Sequence, residues 1–112
     1  MLPRKNRLYK NKDFEAVFEK GKTFFGKGLV VKVLPQDLPT SRFGFIVSKK
    51  TARKAVQRNR IRRRLREIVR REILPFLKKN IDAIIIAKQD CPDSFNELQQ
   101  ELKNLFSKFC NY

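Results

Sequence analysis

The chain has 112 residues and a formal net charge of +16, from 27 Lys and Arg against 11 Asp and Glu, with no His, two Cys and 41% hydrophobic residues. This length predicts one domain, residues 1–112, and the numerous periodic apolar residues exclude a disordered basic tail. The missing His, the scattered acids and the lack of a Gly-rich phosphate loop argue against a protein-only nuclease, a dedicated metal site or a nucleotide-binding loop.

Met1 to Lys10 is basic, lacks a helical period and carries Pro3, so it is read as an extended arm pinned by Leu8. Asn11 is placed as the N-cap of a short helix, α1, over Lys12 to Lys20, closed by Gly21. Phe14, Val17 and Phe18 share one face of that helix. Core packing is the simpler reading of the two rings. The alternative is a stacking platform, because aromatics interleaved with cations suit single-stranded RNA, each base–ring stack contributing about 1–3 kcal/mol.

Thr23 to Phe25 is read as a short strand, β1. Leu29 to Leu34 (β2) and Arg42 to Ser48 (β3) are strand-like runs joined by the turn-rich PQDLPTS segment. Along β3, Phe43, Phe45 and Val47 alternate with Arg42, Gly44, Ile46 and Ser48, and the bulkier face is expected to pack on helices. Along β2, Val30, Lys32 and Leu34 share a face. Lys32 is then an edge residue, the favoured reading, or one that lines a groove.

Lys49 to Arg71 holds twelve cations against one acid, Glu67. From about Ala55 onward Ile61, Leu65, Ile68, Val69 and Ile73 recur at helical spacing, which predicts an amphipathic helix, α2. Residues placed about 100° apart put Asn59, Arg62, Arg63, Arg66 and Arg70 on one flank and Arg60, Arg64, Glu67 and Arg71 on the other. Like charges at i,i+4, such as Arg62 and Arg66, each destabilise the helix by roughly 0.2–0.5 kcal/mol. An external anion must offset this, and a nearly single-signed, Arg-rich surface suits phosphate better than it suits plain solvation.

Pro75 is expected to end or kink this helix, with Leu74 to Lys79 as a loose turn. Ile81 to Lys88 is too apolar for an exposed strand and is assigned as the central one, β4; strand, helix, strand then implies a parallel crossover within one sheet. After a break at Cys91, Pro92 and Asp93, Ser94 and Glu97 match a capping box. Phe95, Leu98, Leu102, Leu105, Phe106 and Phe109 form the apolar stripe of a last helix, α3, that covers the sheet. Cys91 and Cys110 read as reduced thiols. No apolar run has the length of a transmembrane helix and the N-terminus lacks the apolar core of a secretory signal, so a cytoplasmic protein without membrane association is expected.

Three roles fit the pattern: a subunit of a catalytic RNA–protein particle, a basic structural ribosomal or RNA-chaperone protein, and a DNA-reading helix module. Charge on both flanks of α2 favours an environment of folded RNA.

The string KAVQRNRIRRRLRE, preceded by VSKK at Val47 to Lys50, resembles the signature of the bacterial ribonuclease P protein subunit, whose Arg-Asn-Arg triplet is matched by Arg58, Asn59 and Arg60. NRL near the start, DFEAVFEKG at Asp13 to Gly21, RFGFIVSKK at Arg42 to Lys50 and DAIIIAK at Asp82 to Lys88 follow the family's order and spacing, so the resemblance covers nearly the whole chain. It implies an α/β (α+β) sandwich, a four-stranded sheet with three helices in the order α1-β1-β2-β3-α2-β4-α3, and a left-handed βαβ crossover through the basic helix. It also implies a large catalytic RNA as partner. That RNA, with Mg2+ bound mainly by itself and the substrate, hydrolyses precursor tRNA to release the 5′ leader, and the protein is a non-catalytic subunit with no obligatory protein partner.

The resemblance transfers RNA-subunit contacts to Arg53, Lys54, Arg58, Asn59, Arg60, Arg62, Arg63 and Arg66. Phe14 and Phe18 match the family's aromatic cleft positions, which favours the stacking role for their exposed edges, and Lys49, Lys50 and Lys88 match cationic positions near that leader-binding cleft. Two departures stand out. Lys32 replaces a Tyr found in some relatives, which implies a phosphate contact in place of a stack, and Gln89 stands where relatives often carry a cation.

Overall fold

An apolar strand such as Ile81–Ala87 (β4) needs neighbours on both edges and cover on both faces. In the computed structural model, which describes residues 2–92 and 94–110 with the Cys110 side chain outside that set, it has both. The sheet order is β1-β2-β4-β3, with β1 over Lys22–Phe25, β2 over Leu29–Pro35 and β3 over Arg42–Val47. β2 runs antiparallel to β1 and β4, whereas β3 and β4 are parallel. A parallel pair cannot be closed by a tight turn, and α2, Ala55–Ile68, supplies the crossover.

Strand alternation divides the apolar residues between two cores. Val31, Val33, Phe43, Val47, Ala83 and Ile85 pack with Leu65 and Ile68 of α2 and Leu98, Leu102 and Phe106 of α3, Phe95–Cys110. Edge-to-face contacts of Phe24 with Phe109 and Phe43 with Phe106, centroids 6.0 and 6.2 Å apart, fix α3 against the sheet. On the opposite face Ile84 packs with Leu8 and with Val17 of α1, Asn11–Lys20, flanked by Phe14, Leu34, Ile46 and Ile86. The expected sandwich with the bulky face of β3 turned to the helices is thus present. Ser94 Oγ accepts the Glu97 amide at 3.1 Å, one half of the expected capping box.

Several local expectations need correction. Asn11 lies inside α1; Lys10 is the N-cap, its carbonyl accepting the Asp13 and Phe14 amides at 3.0 and 3.1 Å with no side-chain cap. Gly21 ends the helix in extended backbone rather than a left-handed turn. Its small size matters because a Cβ there would lie 2.5 Å from the Val17 carbonyl oxygen and 3.1 Å from that of Val33. Ahead of Pro75 the α pattern stops at Ile68 and widens into a π turn, Val69–Ile73, then a 3-10 turn, Leu74–Phe76. Proline has no amide to donate four residues back and its ring crowds that carbonyl, so the helix adjusts one turn early.

The N-terminal arm is not wholly extended: Arg4–Asn6 forms a 3-10 turn. Leu8 pins it as expected, its amide donating to the Phe43 carbonyl at 2.8 Å. Leu2 is a second anchor, buried in the larger core while Leu8 lies in the smaller one. The arm therefore wraps the exposed edge of β3, which would otherwise present unpaired backbone groups. The expectations for Cys91 with Cys110, and for Asp93, involve atoms outside the described residues.

Candidate nucleic-acid interface

α2 turns its apolar stripe inward, with Leu65 and Ile68 fully buried and Val69 of the π turn beside them, and this leaves its cations at the surface. Its start is braced by the loop that precedes it. Thr51 Oγ1 donates to the Ala87 carbonyl at 2.8 Å, and Arg58 Nη1 donates to the carbonyls of Ala52 and Arg53 at 3.0 and 2.9 Å. Arg58 is thus partly a loop brace. Arg53, Lys54, Asn59, Arg60 and Arg63 are exposed, and Arg62 is half-buried with its Nη1 on Asn59 Oδ1 at 3.0 Å. Arg70 turns onto Glu67 through two hydrogen bonds of 2.7 and 2.9 Å. Those bonds hold the Glu67 carboxyl down to about 2. The two flanks expected of this helix meet at that pair.

One flank continues around the edge of β3. Arg66 lies 5.8 Å from the Phe45 ring centroid, and burial followed by the charges of Arg7 and Arg62 lowers its pKa. These three guanidiniums line a cleft of about 170 Å³ together with Tyr9, Phe14, Phe45 and neighbouring core residues. Phe14 reaches it over Gly44, where a Cβ would lie 2.5 Å from Phe14 Cζ. That close approach lets the ring pack on the sheet and still border the cationic cleft. Planar forks crowded beside aromatic rings form an environment for phosphate and stacked base.

The remaining expected residues lie on the α1 face and at one end of the sheet. Phe18 is 42% exposed, with Lys32 Nζ 5.5 Å from its centroid and 3.0 Å from Thr23 Oγ1. Because β2 is an inner strand, the edge reading of Lys32 is overturned. Lys49 and Lys50 follow β3 and Lys88 follows β4; the parallel register that pairs Val47 with Ala87 brings all three to the same end of the sheet. Gln89 lies in the exposed turn just beyond. Phe14 therefore faces the arginine cleft at the β3 edge, and Phe18 faces Lys32 in mid-sheet.

Sequence reasoning passed over Arg7, Tyr9, Phe25 and Arg42. Arg42 donates through Nε and Nη2 to the two oxygens of buried Asp82 at 2.9 and 2.6 Å, and through Nη1 to Asp13 of α1 at 3.0 Å. Its pKa is raised, chiefly by the hydrogen bond to Asp82. This clamp holds the helix that carries Phe14 and Phe18 onto β3 and β4. Among the described residues no three His, Cys, Asp or Glu side chains come together as a metal site, and no helix is long and apolar enough to cross a membrane.

The family model described as Ribonuclease P matches residues 2–110. The ribonuclease P protein component of Bacillus velezensis is 39% identical over 113 aligned positions, covering 99% of this chain and 95% of the relative. That of Clostridioides difficile is 37% identical over 102 positions, covering 90% and 89%. Among solved structures, the RNase P protein of Staphylococcus aureus superposes with a TM-score of 0.82 at 29% identity, over 93% of this chain and 94% of that one. The RNase P protein from Thermotoga maritima gives 0.81 at 29% identity, over 91% and 96%.

Proposed function

Because the chain belongs to the ribonuclease P protein family, we propose that it is the RNA-binding subunit of a ribonuclease P and assists removal of the 5′ leader from precursor tRNA in the cytoplasm. The family match over residues 2–110 carries the reading. In this account Arg53, Lys54, Arg60 and Arg63 meet phosphates of the catalytic RNA directly, and Asn59, Arg62 and Arg66 present a second set toward the β3 edge. Arg58 contributes charge while bracing the loop, as its bonds to Ala52 and Arg53 support.

The single-stranded leader lies on the α1 face, with bases on Phe14 and Phe18 and phosphates on Lys32, Lys49, Lys50 and Lys88. Hydrolysis is carried out by the RNA, and Mg2+ is held mainly by RNA and substrate. The chain's own carboxylates Asp13 and Asp82 are engaged by Arg42 instead. The protein acts by position and charge: it lowers the repulsion among phosphates where leader and catalytic RNA meet, which tightens precursor binding over mature tRNA.

Adding the full chain to a bacterial ribonuclease P RNA at low Mg2+ tests this. Precursor should be cleaved faster and bound more tightly than mature tRNA, and Phe14→Ala or Phe18→Ala should reduce that preference by about fivefold or more per lost stack. A protein that binds leader-bearing and leaderless tRNA alike would instead fit a ribosomal or RNA-chaperone role.

A further inference from the structure

We propose that Phe25, paired with Lys88, is an additional base-stacking platform for single-stranded RNA beside the Phe18–Lys32 pair; the inference rests on the leader-binding reading above and extends its cleft to the β1 edge. Phe25 is 69% exposed and Lys88 Nζ lies 5.7 Å from its ring centroid. Packing gives no reason for a phenylalanine there, since Phe24, its neighbour, already turns inward onto Phe109.

The register sets its direction. Thr23 is opposite Lys32 and Phe25 is opposite Val30. Residues two apart on a strand share a face, so Phe25 points to the same side as Lys32, about 7 Å further along the strand. Phe18–Lys32 and Phe25–Lys88 are thus two ring–ammonium pairs on one sheet face. Each offers a flat apolar surface for a base and, on a flexible stem, a cation that can swing to that nucleotide's phosphate.

The platform is also held rigidly, which limits the ordering cost of binding. In the β1–β2 turn Gly26 donates to the Leu29 carbonyl at 2.8 Å, and the Lys27 amide donates to Glu101 Oε1 of α3 at 2.8 Å. The Lys88 amide donates to the Gly28 carbonyl at 2.9 Å, joining the turn to the end of β4. Gly28 has φ +77°, and a Cβ there would lie 2.4 Å from Cys91 Cα, so the turn seats tightly on the chain beyond β4.

The test uses the full chain assembled with a bacterial ribonuclease P RNA and precursor tRNAs whose leaders are shortened one nucleotide at a time. Phe25→Leu keeps apolar bulk without a ring, Phe25→Tyr keeps the ring, and Phe18→Leu marks the neighbouring pair. Phe25→Leu should weaken binding about fivefold or more for leaders beyond a threshold length. It should leave shorter leaders unaffected, and Phe25→Tyr should bind like the unaltered protein. The threshold for Phe18→Leu should fall at a different leader length.

If Phe25→Leu matches the unaltered protein at every length while Phe18→Leu loses leader dependence, the platform is overturned and the cleft survives. If the unaltered protein shows no leader dependence, both readings fall. Equal weakening for leaderless tRNA, or a change only in sedimentation, would assign Phe25 to assembly or self-association and overturn the proposal too.

Discussion

Arg42→Gln should destabilise the fold by about 3 kcal/mol. The Asp82 side chain is 7% exposed and receives both of its short hydrogen bonds from Arg42, while the Gln36 amide gives one more at 3.1 Å. Removing one partner of a buried ion pair costs about 3–5 kcal/mol, because the other charge is left uncompensated. The retained Gln36 bond and the 23% exposure of Arg42 place the expected cost at the lower end of that range. The second arm is weaker: Asp13 is 25% exposed, so Asp13→Asn should cost about 0.5–1 kcal/mol. Urea unfolding at fixed sulfate concentration measures both, and a constant denaturant slope would assign the change to stability rather than to altered compactness. A double-mutant cycle of Arg42→Gln with Asp82→Asn should show coupling of about 2 kcal/mol or more, since the second substitution removes the stranded charge. A cost below about 1 kcal/mol for Arg42→Gln, or an additive cycle, would refute the claim that the Arg42–Asp82 pair clamps β3 to β4.

Arg60→Ala and Arg63→Ala should each flatten the salt dependence of assembly with the catalytic RNA by about one phosphate equivalent, whereas Arg70→Ala should change it by less than half as much because Glu67 already engages that guanidinium. Equal slopes for Arg60→Ala and Arg70→Ala would contradict this. Glu67 gives a pH prediction: its folded pKa is depressed from 4.5 to about 2, chiefly by the Arg70 hydrogen bonds. The stabilisation from this pair is therefore complete above the unfolded value and is lost as pH falls from 4.5 toward 2. A carbon-13 titration with a Glu67 midpoint near 4.5 would show that the pair does not form in solution.

The features legible in the sequence are those whose signal is local and repeated. α2 and β4 announce themselves through a long apolar period and an unbroken apolar run, and α3 through its stripe and its serine cap. What was misread depends on partners distant in the chain. Nothing within LVVKVL states that β2 has strands on both sides, so Lys32 could be taken for an edge residue. Gly21 carries the usual signal of a helix end, yet the close backbone of Val17 and Val33 is what demands it. Leu2 precedes any recognisable element and is nevertheless a core residue. Within the candidate interface, composition identified the arginines but not their orientations: Arg58 turns to its own loop and Arg70 to Glu67. Phe25 escaped notice because a four-residue strand is too short for its alternation to stand out.

The placement of the carboxylates explains how so cationic a chain both folds and keeps a single-signed face. Asp13 and Asp82 clamp α1 and β4 to β3 through Arg42. Glu72 meets Lys103 at 3.8 Å and Gln99 at 3.3 Å, joining the π turn to α3. Glu101 holds the β1–β2 turn. Each of these acids ties one element to another, and none of them lines the cleft of Arg7, Arg62 and Arg66. Using acids as internal ties leaves Arg7, Arg62 and Arg66 crowded along that cleft, and burial first, then the charges of Arg7 and Arg62, lowers the pKa of Arg66. A polyanion seated there would offset the crowded charge in the folded state alone, so added sulfate or RNA should raise the stability of the fold, as urea unfolding would measure.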